Sequence, residues 1–134
     1  MRVQATVGAV MLEAGRVLMT RRNIEPFKGR WCLAGGHIDP YETAADAVVR
    51  EVREEVGLEF SGDFFGYFDE TFPDRKIHNV VLIFVGSATG TPRRCEREVA
   101  ELEWMPVSEA LQEPLAFCHN AVLQAVVDAG LVAF

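Results

Sequence analysis

Three features of this sequence predict an α/β fold in which a mixed β-sheet lies between helices. Strand-like and helical segments alternate along the chain. The window from Tyr41 to Gly57 repeats apolar residues at helical spacing, about 100° per residue. The run Asn79-Val80-Val81-Leu82-Ile83-Phe84-Val85 is the most β-prone in the chain, rich in β-branched and aromatic residues. With 134 residues and 49% hydrophobic content, the chain can bury one sizeable core, and a single domain over residues 1–134 is expected.

The elements follow in order. Val3 to Leu12 reads as a strand, and Glu13-Ala14-Gly15-Arg16 as the loop of a hairpin returning through Val17 to Arg21. Arg22 to Arg30 is a loop of charged and turn-forming residues. A short apolar strand around Trp31-Cys32-Leu33 follows, with Gly35-Gly36 predicting a tight turn and close backbone approach. A helix begins near Pro40 or Tyr41, with Glu42 against the positive end of its dipole and Gly57 closing it. Ala45, Val48, Val49, Val52 and Val56 form its predicted core stripe. Asp63 to Glu70, Lys76 to Ser87 and Val99 to Met105 are further strands, and Ala88 to Arg94 is a loop. Val107 to Gln112 and Leu115 to Ala129 read as helices, the second ended by Gly130.

Composition bounds the function. The net charge of −7 opposes a nucleic-acid partner, which demands a basic footprint. No apolar run reaches the roughly 18 residues that span a bilayer, so no membrane partner is expected. Cys32, Cys95 and Cys118 are widely separated and odd in number. They predict reduced thiols, two of them buried, in a cytoplasmic protein.

Glu51, Glu54 and Glu55 stand at i, i+3 and i+4, so a helix crowds their carboxylates onto one face. Like charges so placed weaken a helix, whereas a hard divalent cation turns the repulsion into ligation. Ala47 falls in the same sector, where a small side chain leaves room for an ion. An acidic helix face is ordinarily a solvated one, and Arg50 and Arg53 could balance it here. The register of Gly36, Glu42, Arg50 and Gly57 around the three acids argues instead for metal-assisted chemistry on phosphates.

The stretch from Gly36 to Leu58 resembles the signature of Nudix hydrolases: Gly, five residues, Glu, seven residues, Arg-Glu, an aliphatic residue, any residue, Glu-Glu, any residue, Gly, an aliphatic residue. Gly36, Glu42, Arg50, Glu51, Val52, Glu54, Glu55, Gly57 and Leu58 meet every defined position. At free positions, Ala34 and Tyr41 replace the proline and glycine that the family often carries. The resemblance implies a Nudix-like α/β/α sandwich and cleavage of a diphosphate linked to another moiety, with magnesium or manganese (Mg2+ or Mn2+) as cofactor. It implies Glu51, Glu54 and Glu55 as metal ligands, with the Gly36 carbonyl as a further donor. Arg50 would orient a catalytic glutamate, and Glu42 would pair with that arginine.

Family members differ in their general base, using a glutamate of the signature helix or an acid on a later loop. Glu98 sits where relatives place an extra metal ligand or base, and it reads equally as a solvated loop acid. Arg21 and Arg22 are candidate phosphate contacts, although surface arginines without that duty are as common. Phe27 is a candidate for stacking on a base, and Trp31 reads as core. His119 reads as an ordinary helix residue.

Pro73 and the neighbouring Phe72, Asp74, Arg75 and His78 resemble a marker of ADP-ribose pyrophosphatases. The expected partner is therefore a small-molecule nucleotide, ADP-ribose-like, with a nucleoside triphosphate as the alternative substrate. A catalytically silent nucleotide-binding domain would be expected to lose signature acids, and this chain keeps all of them. The frequency of dimers among relatives leaves a homodimer open.

Overall fold

The computed structural model describes residues 1–132 and shows a mixed sheet with helices on both faces. Strand β1 (Gln4–Glu13) turns through Ala14 and Gly15, both at positive φ, into β2 (Arg16–Arg22). β3 (Trp31–Cys32) and β7 (Val99–Pro106) flank β2 antiparallel. β1 runs parallel to β6 (Ile77–Thr89), which pairs antiparallel with β5 (Glu59–Phe72). β4 (Ala34–His37) closes on the other side of β1. The helices are α1 (Ala44–Val56), α2 (Val107–Ala110) and α3 (His119–Asp128). No helix among the described residues is long and apolar enough to cross a membrane.

Period-2 alternation produces the sandwich. In β1, Val7, Ala9 and Met11 pack against Val48, Val52 and Val56 of α1, together with Leu18 and Phe84. Val10, Val17, Met19, Val81 and Ile83 face the opposite core, with Val122, Leu123 and Val126 of α3. One sheet thus feeds two apolar layers.

Several expectations are corrected. Gly35 and Gly36 form no turn; they lie in β4, paired with Gly8 and Val7. Close approach does hold, since a Cβ on Gly35 would collide with the Val7 carbonyl. Helix α1 starts at Ala44, with the Thr43 hydroxyl accepting from the Asp46 N–H, so Glu42 precedes the helix. Ala45 is exposed and Ala47 is fully buried. Ala47 therefore packs in the core instead of leaving space for an ion. α3 is shorter than its apolar pattern, and only Cys32 of the three free thiols is buried.

Gly57 ends α1 at φ 70, its N–H donating to the Arg53 carbonyl. Replacing it with alanine should cost about 1–2 kcal/mol, the penalty of a left-handed non-glycine residue. Urea unfolding should show a lower midpoint with an unchanged slope.

Candidate functional site

A cavity of about 630 Å³ opens beside β4 and α1. That is within the range of small-molecule sites, roughly 300–1,000 Å³. β4 and α1 contribute Gly35, Gly36, Glu51 and Glu55 to its lining, with Glu98; β5, β6 and the segment entering α3 contribute Glu70, His78, Asn79, Phe117 and His119.

The acidic group is built by α1 lying against β4. A Cβ on Gly36 would come within 2.5–2.6 Å of the Glu51 carboxyl group, so only glycine lets that group rest on the strand. Arg50 then ties the segment together. Its Nε and Nη2 donate to the two Glu42 oxygens at 2.8 and 2.9 Å, and Nη2 also donates to the His37 carbonyl at 3.0 Å. Its Nη1 donates to Glu51 at 2.9 Å and to Glu54 at 3.2 Å. The hydrogen bonds from Arg50 hold the Glu42 carboxyl down at about 2.

Glu55 receives no guanidinium. It is held by the Gly35 N–H at 3.4 Å, and burial raises its pKa well above the ordinary carboxyl range, with Glu51 and Glu98 adding to the rise. Burial also raises Glu51, against the pull of Arg50. Among the described residues no three His, Cys, Asp or Glu side chains already close on one point as a ligand cluster. The donor chemistry nevertheless fits a hard cation. Glu51 and Glu55 are oxygen donors that repel each other and Glu98; Arg50 answers Glu51, but Glu55 has no directly bound cation and feels Arg22 only through its field.

The predicted residues separate clearly. Gly36, Glu51, Glu55, Glu98 and Arg22 border the cavity. Glu54 is exposed, bound to Arg50, and is not among the residues that line the cavity. Arg21 and Arg22 part company at an irregularity in the β2–β7 ladder, and only Arg22 lines the cavity. Arg21 pairs with Glu101 at 2.9 Å outside the cavity, which corrects its assignment to phosphate. Arg22 donates to the Pro26 carbonyl at 2.6 Å and sits 5.0 Å over the Phe117 ring. Phe27 is buried against Phe72 and Phe117, with Arg75 4.0 Å over its ring, so it is not free to stack on a base. Phe117, at φ 52, lines the cavity in its place.

Sequence reasoning missed Thr6, Glu70, Asn79 and Phe117, and passed over His119. A polar residue on the inward register of an apolar strand was the available signal at Thr6 and Asn79. Thr6 Oγ1 is buried in the cavity wall with no hydrogen-bond partner. His119 is buried, and its Nδ1 accepts the Leu33 N–H at 3.0 Å.

This fold, with a glycine-cradled acidic helix beside a ligand-sized cavity, defines a hydrolase class built for phosphate esters and anhydrides. The sequence profile of the NUDIX domain matches residues 2–126. The chain is 32% identical to the CTP pyrophosphohydrolase of Escherichia coli (strain K12), over 93% of this chain and 92% of that protein. It is 27% identical to the ADP-ribose pyrophosphatase of Methanocaldococcus jannaschii, over 88% of this chain and 69% of that protein. Among solved structures, a MutT NUDIX hydrolase from Burkholderia pseudomallei superposes with a TM-score of 0.88 at 26% identity, covering 94% of this chain and 99% of that one. The chain belongs to the Nudix hydrolase family, whose members generally use divalent metal ions.

Burial lowers the His119 pKa from 6.5 to about 3, with Arg22 adding to the shift. Between those values the unfolded chain binds a proton that the folded chain does not, so this residue's contribution to stability falls as pH drops below about 6.5. The change is up to about 1.4 kcal/mol per pH unit. His119→Asn, which keeps an acceptor for the Leu33 N–H, should lose this dependence. The difference between urea-unfolding free energies of the two proteins at pH 7 and pH 5 measures it directly.

Proposed function

We propose that this chain hydrolyses the diphosphate bond of a nucleoside diphosphate linked to another moiety, with ADP-ribose-like compounds as the favoured substrates. The observation that carries the reading is the enclosed acidic group of Glu51 and Glu55, with Glu98 nearby, in the lining of a nucleotide-sized cavity. Glu51, Glu55, Glu98 and the Gly36 carbonyl would hold magnesium or manganese, with Glu54 joining them. The cation supplies neutralisation of the diphosphate charge and a bound water of lowered pKa.

The protein's own residues supply position. Arg50, anchored by Glu42, fixes Glu51 and the exposed carboxylate of Glu54. Arg22, at the cavity wall, is the phosphate contact that remains after Arg21 is committed to Glu101. Glu98 is the general base in this reading, because it lines the cavity and its charge acts on Glu51 and Glu55, although it does not belong to α1.

The ADP-ribose preference draws on Pro73, which begins the 3-10 turn between β5 and β6, on His78 in the cavity wall, and on the similarity to an ADP-ribose pyrophosphatase. A second reading, pyrophosphohydrolysis of a nucleoside triphosphate, is supported by the longer and higher-identity match to a CTP pyrophosphohydrolase.

A panel of ADP-ribose, other nucleotide sugars, dinucleotides and nucleoside triphosphates, assayed with magnesium or manganese, separates these readings. Rapid ADP-ribose cleavage with inert triphosphates supports the first, and the reverse supports the second. Absence of metal-dependent turnover on every member points to a silent binding domain. Glu54→Gln and Glu55→Gln should each lower kcat by on the order of 100-fold or more while the far-ultraviolet circular dichroism stays native, the scale of losing one electrostatic catalytic group.

A further inference from the structure

Where β5, β6 and the segment entering α3 line the cavity, three polar side chains gather on a buried carboxyl group. Glu70 is 3% exposed and Asn79 8%, and the two are register partners on β5 and β6. Asn79 Nδ2 donates to Glu70 Oε1 at 3.2 Å, which turns the amide oxygen away from that carboxyl group. Glu70 Oε2 accepts from the Cys118 N–H at 3.3 Å and from its thiol at 3.1 Å. His119 Nε2 lies 4.0 Å from the same oxygen, beyond hydrogen-bond reach.

Because His119 Nδ1 accepts the Leu33 N–H, the proton of the neutral ring belongs on Nε2. The wall therefore sets the His119 Nε2–H beside the Glu70 carboxyl group and the Asn79 amide oxygen. All three residues line the cavity, and Phe117, whose ring centre is 5.5 Å from that of His119, adds an aromatic surface next to them.

Buried hydrogen-bonding groups cost free energy unless a partner satisfies them. The group that suits this wall is a planar ring carrying an exocyclic amino group next to an unprotonated ring nitrogen. The amino N–H groups answer the Asn79 and Glu70 oxygens, and the ring nitrogen answers the His119 N–H. A ring with oxygen in place of the amino group carries a proton on that nitrogen, so in the same orientation it sets oxygen against oxygen and N–H against N–H.

We propose that Glu70, Asn79 and His119 select the substrate's nucleobase, favouring amino bases over their oxo counterparts. Glu70 and Asn79 oxygens accept from the amino group, and His119 Nε2–H donates to the adjacent ring nitrogen. The proposal rests on the nucleotide-hydrolase reading of the same cavity, but it concerns recognition and not bond cleavage.

Calorimetric binding of AMP against IMP, and of CMP against UMP, in the presence of magnesium tests it with ligands that have no diphosphate to cleave. Each pair differs in the amino-to-oxo exchange and in the proton that the adjacent ring nitrogen then carries. The amino member should bind roughly tenfold more tightly, the scale of one net hydrogen bond. Glu70→Gln should narrow the gap. Should that buried substitution unfold the chain, His119→Asn provides the same readout with the Leu33 contact kept. Equal affinities within each pair, preference for the oxo member, or no binding by any of the four at millimolar concentration overturns the proposal. Failure of the hydrolase reading shows separately, as inertness of the diphosphate panel.

Discussion

Glu51, Glu54 and Glu55 repel one another along α1, and the Arg50 guanidinium answers only part of that charge. Two carboxylates about 4 Å apart at an effective dielectric of 20 repel by about 4 kcal/mol. Burying one or two valine side chains contributes a comparable amount. α1 survives because Ala47, Val48, Val52 and Val56 are buried on its other side and because Arg50 binds Glu42, Glu51 and Glu54 at once. Glu55 stays outside that arrangement, enclosed and raised in pKa by its burial and its acidic neighbours. The helix is therefore kept in a state that a divalent cation relieves.

The sheet decides where that state is presented. Gly36 lacks the side chain that would occupy the place of the Glu51 carboxyl group, and Gly35 gives Glu55 its backbone N–H. Thr6 of β1 and Asn79 of β6 line the same cavity, Asn79 beside its register partner Glu70. One pocket thus holds both a carboxylate-rich group and a hydrogen-bonding group. The two groups depend on different forces, charge neutralisation at one and satisfaction of buried polar groups at the other.

Much of this was legible in the sequence because it is local. The spacing of Glu51 and Glu55, the cap at Gly57 and the strand at Asn79–Val85 all follow from helical or strand periodicity. What escaped was nonlocal. The pairing of Gly35 and Gly36 with β1 depends on residues far off in the chain, and so does the choice of Ala47 over Ala45 for the core. Phe27 is covered by Phe72 and Phe117, which come from distant parts of the chain, and Phe117 lines the cavity. Glu70 and His119 converge from β5 and α3, so no spacing between them could mark the cluster.

The central claim is that the enclosed carboxylates of α1 and Glu98 make a cation site. Thermal unfolding with and without millimolar magnesium, for the unmodified chain and for Glu55→Gln, tests it without any substrate. The account predicts that magnesium raises the Tm of the unmodified chain, since a ligand that binds only the folded state stabilises it. It predicts that Glu55→Gln loses most of that rise while remaining folded. An unmodified chain whose Tm does not respond to magnesium or manganese, or a variant that responds just as strongly, would contradict it.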